Sequence, residues 1–417
     1  MTRHTQFQPG REPREVHPNF KLRSNHVTGP FSFLNPTQAP YAPSNHPTIT
    51  SPESEQPPPP AIEHLWRSRD NRKGRHALRV SDKVSPHEEI TTPPLTRSAP
   101  AICAGLLRMV SYAPYWDVSY LVATSFTLGS VVWIINAFFV WLPLANPKTE
   151  FPGESLVGGG VTAFIGATIF EIGSVLLLLE AVNENQTGCF GWALETVLSK
   201  TSDDERHRHA RTEVRPDIQE CRHHHANRRS FLRGRHGRRD GSADTANHLG
   251  RVVSASDGRS FRWIPSIKEL RNHYFHELGF LASLIQFFSA TIFWIAGFTG
   301  LPGIYGHLSQ GLADGVYWAP QIVGGTGFIL SGLLFTLETQ SKWYTPAWHV
   351  LGWHIGVWNF IGGIGFTLCG ALGPASGHSG VAYQATLATF WGSWAFMIGS
   401  TIQWYESLQK HPVEKQG

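Results

Sequence analysis

Cysteine and methionine are scarce, four and three in 417 residues. Cys103, Cys189, Cys221 and Cys369 lie far apart, with neither the spacing of a zinc site nor the density of a disulfide framework. The first thirty residues hold no apolar run and carry Pro9, Pro13, Pro18 and Pro30, so no secretory leader is read there. Insertion is then expected to rely on the first membrane helix. Enzyme signatures are missing from the apolar part. It has no phosphate-binding glycine loop, no HExxH, no nucleophile elbow and no paired catalytic carboxylates. No catalytic residue, cofactor or metal is therefore predicted.

Averages conceal what is present. A mean hydropathy of -0.17 with 41% hydrophobic residues would suit a soluble protein, but it blends two unlike kinds of chain. Residues 1–100 and about 200–262 are rich in Pro, Ser, His and Arg. Nearly all Trp, Phe and Leu lie in 105–195 or beyond 263. The polar parts read as disordered tail and loop, because they cannot bury enough apolar surface to offset ordering entropy. Most of the formal charge of +4 belongs to them, and it favours contact with anionic lipid over nucleic acid.

Six apolar stretches are long enough to cross a hydrocarbon core of roughly 30 Å. They lie near 118–142, 158–180, 278–300, 316–338, 350–372 and 384–405, with Trp116, Trp141, Tyr317, Trp318, Trp348, Trp404 and Tyr405 at their margins. Basic residues alternate between connections. Arg108, Lys268, Arg271, Lys342, Lys410 and Lys415 flank one side, and the other has Lys148 alone, so both termini are expected in the cytosol. On that topology the Asn185-Gln186-Thr187 sequon carries no glycan. Ser266 and Glu269 form a capping box, and Trp263, Ile267, Leu270 and Tyr274 share a helical face, which predicts a short surface helix before the third span.

An internal repeat organises the spans. "GATIFEIGSVLLLLE" (166–180), "GGTGFILSGLLFTLE" (324–338) and "GSWAFMIGSTIQWYE" (392–406) align without gaps on Gly, Phe, a pair of small residues and a terminal Glu. "FHELGFLASLIQFFSATIFWIAGFTG" from Phe275 aligns likewise with "WHVLGWHIGVWNFIGGIGFTLCGALG" from Trp348. The expected fold is all-α, a six-helix transmembrane bundle of three repeated two-helix hairpins about a pseudo-threefold axis. Its parts are a tail (1–104), hairpins at 105–195, 263–339 and 340–407, a basic insertion (196–262) and a C-terminal tail (408–417).

The polar residues within this frame are the functional candidates. Glu171 lies mid-span where the other copies have Ile329 and Met397, and reads either as a proton- or cation-coupled group or as a structural carboxyl. Thr127, Gln286 and Asn359 occupy one aligned position, which either lines a shared polar site or makes separate interhelical hydrogen bonds. His354, with His349 and His276, reads as interfacial. Glu180, Glu338 and Glu406 fall about 15 Å past the shared Phe, at the cytosolic boundary. They suit anchoring, pairing with basic residues of the connections, or a shared cation or ligand ring. The His- and Arg-dense run around Cys221 and His223 to His225 leaves three readings open: a basic loop on anionic lipid, a metal-binding tract, or translated intron.

The segments "SYLVATSFTLGSVVWIINAFFVWLP", "ATIFWIAGFTGLPGIY" and "PAWHVLGWHIGVWNFIGGIGFTLCGALG" resemble the uncharacterised fungal multi-pass integral membrane proteins. The "FEIGSVLLLLE" helix is similar to the two-helix YrhK domain. These resemblances imply a multi-pass membrane protein and bring no activity or catalytic residues. Function reads first as a non-enzymatic structural or regulatory membrane component, with a transporter or channel for a small solute or cation as the alternative and a membrane enzyme third.

Overall fold

A computed structural model describes residues 20–43, 62–80, 94–115, 117–183 and 264–415, together with the pairs 90–91 and 212–213. The chain is mostly helical, and five helices are long and apolar enough to cross a membrane. The sequon at Asn185 and nearly all of the 196–262 insertion, including Cys221 and its histidines, lie outside the described residues.

Long helices occupy each predicted apolar stretch. They are α3 (Val118–Ala145), α4 (Gly160–Val182), α6 (Leu278–Thr299), α7 (Ala319–Glu338), α8 (Leu351–Leu372) and α9 (Ser379–Ser407). Two shorter helices precede them, α1 (Ser68–Arg72) and α2 (Ala99–Ser111), and α5 (Ile267–Asn272) leads into α6. Five of the six long helices, α9 apart, belong to the apolar set. The last helix carries Gln384, Gln403, Glu406 and many hydroxyls, which dilute its hydropathy.

Each long helix packs against the next in chain order, and α9 returns to α3, so the six form a closed ring. Chain order suffices because the connections within each helix pair are short. Lipid offers no hydrophobic contrast, so close backbone approach supplies the packing instead. The repeat's small residues serve it: a Cβ added at Gly332 of α7 would stand 2.5 Å from the Phe360 nitrogen of α8, and one at Gly363 would stand 2.6 Å from the Ile329 nitrogen. Ser331, beside Gly332, donates to the Ala282 carbonyl of α6 at 2.9 Å.

Every ring helix contributes one aromatic residue to the centre: Trp133, Phe170, Phe293, Phe328, Phe366 and Phe396, all buried. Trp133, Phe293 and Phe366 meet with ring centroids 4.9 to 5.7 Å apart. Phe396 lies 5.5 Å from Phe170 and 6.0 Å from Phe328. The pairs are mostly edge-to-face, the arrangement the ring quadrupole prefers.

The N-terminal segment corrects an expectation. Within the expected disordered tail of 1–104, the described residues 20–43 and 62–80 build a β-platform on one end of the ring. Strands β1 (Phe20–Leu22), β2 (Gln38–Pro43), β3 (Ile62–Arg67) and β4 (Ala77–Val80) are antiparallel in that order, and β5 (Val413–Lys415) adds in parallel beside β4. Strand β3, "IEHLWR", is buried on both sides, with Glu63, His64, Leu65 and Trp66 all enclosed, and it needs no long apolar run because the sheet ladder satisfies its backbone. The N-terminal segment and the C-terminal strand thus lie together. Tail residues Lys410 and Val413 join the same structure, His76 N–H donating to the Lys410 carbonyl at 2.8 Å.

The capping box at Ser266 and Glu269 forms as its sequence requires. The face drawn through Ile267 and Tyr274 does not act as one. Ile267 is exposed, whereas Tyr274 is fully buried against Val182 and Phe280, its hydroxyl donating to the Val182 carbonyl at 2.9 Å. Six residues of helix are too few to carry a stripe, so the chain turns inward before Tyr274.

Candidate functional site

The three carboxylates of the repeat meet at the platform end. Glu180, Glu338 and Glu406 close α4, α7 and α9 and are 2%, 1% and 1% exposed. A carboxylate suits this place badly, since a helix C-terminus is itself partly negative and buried charge is costly without a partner. The partners come from the turn between β3 and β4. That turn is α1 followed by Lys73, Gly74 and Arg75, and Gly74 takes the positive φ of 60° that reverses the chain.

One short turn serves all three helices. Arg69 donates to both oxygens of Glu406, Nε at 3.2 Å and Nη2 at 2.7 Å. Arg75 Nη1 bridges Glu406 at 3.0 Å and Asp70 at 2.5 Å. Arg72 Nη2 donates to Glu338 at 2.5 Å, and Ser68 Oγ reaches the other Glu338 oxygen at 2.9 Å. Lys73 Nζ stands 3.3 Å from Glu180, with Arg72 Nη1 at 3.8 Å from the same oxygen. Outside these, Arg67 is held bidentately by Glu414 of β5 at 2.8 and 2.6 Å. Five cations therefore face five carboxylates. The Arg72 guanidinium also lies over the Phe335 ring, 5.3 Å from its centroid.

Burial alone would lower the pKa of Arg69, but Glu406, and behind it Glu338 and Glu180, hold it above its ordinary value, so it stays charged. Lys73 goes the other way. Burial lowers it, and Glu180 only partly offsets that.

Above the turn lies a cavity of about 30 Å³, bordered by Arg69, Arg72 and Lys73 on the platform side and by Phe170 and Phe396 of the aromatic centre. Gln286, Asn359, Ser130 and Gln403 give it polar walls. That volume suits a water molecule or two and not a solute. It lies between paired charges at the platform end and edge-to-face rings at the centre.

The polar candidates of the apolar spans separate here. Gln286 and Asn359 share this cavity. Thr127 is not among its lining, and its hydroxyl donates to the Ala123 carbonyl of its own helix at 2.8 Å; Ser130, about one turn on, borders the cavity instead. Glu171 lies apart, at the contact of α4 with α6, where Thr291 donates to it at 2.9 Å. His354 Nε2 lies 2.7 Å from the Trp348 carbonyl at the start of α8. Among the described residues no group of three His, Cys, Asp or Glu is placed to hold a metal ion. Arg69, Arg72, Lys73, Arg75 and Gln403 do not stand out in the sequence. The signal for the basic ones is the density of Arg67, Arg69, Arg72, Lys73, Arg75 and Arg79 within thirteen residues. No family model, curated protein or solved structure matches this chain.

Proposed function

We propose that this multi-pass membrane protein has six spans in three like hairpins, with both termini cytosolic, and acts as a non-enzymatic structural or regulatory component of a fungal membrane. The hairpin reading is supported by the aligned positions that converge. Phe170, Phe328 and Phe396 share the aromatic centre, and Glu180, Glu338 and Glu406 share the capped end. The orientation is supported by the basic residues near the helix ends on the platform side.

One observation supports this reading: the basic turn pairs with all three aligned carboxylates and borders the cavity behind it. A ring of helices with a charge-paired cap is suited to holding helices together, which favours a structural part over conduction. The deciding assay is flux of protons, potassium and chloride through the full-length protein in liposomes. Leakage equal to that of empty vesicles fits this reading. Selective flux above it would overturn the reading in favour of a transporter or channel. That second reading draws on Gln286, Asn359, Ser130 and Gln403 lining one cavity, and it predicts flux once the cap is removed.

A further inference from the structure

A second cavity, of about 440 Å³, opens between the platform, α2, the start of α8 and the end of α9. Its inner wall is the ion-paired set already described. Its outer part is formed by Thr96, Arg97 and His349 on one side and by Ile102, Leu351 and Tyr405 on the other. A cavity of this size is within the range of small-molecule sites, and its lining joins charged side chains to the apolar group Ile102, Val350, Leu351 and Tyr405.

Its setting narrows the ligand. Helix α2 crosses the end of α9, close enough that a Cβ on Gly105 would stand 2.5 Å from the Tyr405 ring, and Arg108 donates to the Leu408 carbonyl at 3.3 Å. Its other side turns Leu106, Leu107 and Val110 outward, 53%, 69% and 88% exposed. An apolar helix face lying at the ends of membrane-spanning helices is placed as an interfacial helix is placed, at headgroup depth. The cavity opens beside that face, sharing Ile102 with it.

Charge narrows it further. Arg97 is exposed and donates to the His349 carbonyl, and among the described residues it enters no ion pair. The other arginines of the cavity are engaged by Glu406, Asp70 and Glu414. Burial and then the neighbouring Arg97 lower the His349 pKa, and Glu414 opposes them, so Arg97 is the nearest charge felt at this part of the lining. An unpaired guanidinium next to an apolar wall at headgroup depth matches a phosphate with acyl chains beneath it.

We propose that this crevice binds one anionic phospholipid from the surrounding bilayer, its phosphate on Arg97 and its glycerol and upper acyl chains along Ile102, Leu351 and Tyr405. The proposal needs only that the apolar helices lie in a bilayer, and it stands whether or not the protein conducts.

The test uses full-length protein in nanodiscs of phosphatidylcholine alone or with a minor share of phosphatidylserine, reading bound lipid by native mass spectrometry and the thermal midpoint by tryptophan fluorescence. The wild type should retain phosphatidylserine and melt higher in its presence. Arg97→Glu should reduce that retention roughly tenfold or more, and Ile102→Trp should do so by filling the apolar wall, both melting like wild type in phosphatidylcholine alone. Equal retention of the two lipids, or retention undiminished in both variants, would overturn the proposal. So would an equal rise in midpoint from inorganic phosphate in phosphatidylcholine discs, which would make this a site for a free anion. Failure to enter nanodiscs at all would count against the membrane reading and not against this site.

Discussion

Replacing Arg72 with Met tests how much the cap contributes to the ring. Arg72 holds Glu338 at 2.5 Å and approaches Glu180 at 3.8 Å, and Glu338 is 1% exposed. After the change Glu338 keeps only the Ser68 hydroxyl at 2.9 Å, while Glu180 keeps Lys73 at 3.3 Å. Removing one partner of a buried pair leaves an uncompensated charge and costs about 3–5 kcal/mol. At roughly 2–4 °C per kcal/mol, the melting transition should fall by about 6–20 °C. The double variant Arg72→Met with Glu338→Leu removes both charges, and a buried pair exchanged for apolar groups is often close to neutral. It should recover most of the loss. Lys268→Gln, on the exposed face of α5, is the control and should move the transition little. Tryptophan fluorescence during heating of the purified protein reads all four. A single variant that melts with the control, or a double variant no better than the single, would refute the claim that Arg72 is there to neutralise Glu338.

The platform should loosen in acid. Burial lowers His64 to about 4, outweighing the Ala77 backbone hydrogen bond, so its neutral form belongs to the fold. The stability this gives is complete above 6.5 and is lost as pH falls from 6.5 to about 4, a loss of about 3 kcal/mol. Burial would raise Glu414, but Arg67 holds it at about 2, so its contribution is complete above 4.5 and is lost as pH falls toward 2. Protection factors of amides in 62–80, taken relative to the intrinsic exchange rate at each pH, should fall in both windows, and His64→Gln should abolish the upper fall alone; protection factors unchanged down to pH 4 would contradict the account. In the ring, Phe366→Ala opens the aromatic centre where Phe366 meets Trp133, Phe293 and Phe396, and should cost about 3–5 kcal/mol. Chemical denaturation measures it, and a loss below about 1 kcal/mol would show that the six rings do not form one core.

The helices were legible because lipid imposes a long apolar run on each span, a signal that survives any tertiary arrangement. The carboxylates were legible for a different reason: Glu180, Glu338 and Glu406 end three apolar segments that align without gaps, and an ionisable residue at the same place in each suggested a common environment. Their partners were not legible. Arg69, Arg72 and Lys73 sit in a Pro- and His-rich stretch whose composition resembles disorder, and their sheet is completed by Val413–Lys415 from the far end of the chain. Pattern reading sees period and composition along the chain, and such a pairing exists only across it. Thr127 fell outside the polar cavity despite its aligned register. Thr127 and Ser130 both satisfy their hydroxyls on the preceding turn, at Ala123 and Phe126, yet only Ser130 borders the cavity, so the placement was not legible from residue type.

The central claim is that the N-terminal segment closes the end of the bundle together with the C-terminal strand, and a designed disulfide tests it most directly. Leu78 and Val413 are paired in the parallel ladder between β4 and β5, within the usual reach of a disulfide. Leu78→Cys with Val413→Cys is made in a Cys103→Ser background, so that the exposed native thiol cannot compete. After mild oxidation in membranes, cyanogen bromide cleaves at Met109 and Met397 and releases one fragment ending at residue 109 and another spanning 398–417. The account predicts that these two fragments remain joined until reduced, in monomeric protein and in high yield. Fragments that separate without reductant would contradict it and leave the N-terminal segment a tail.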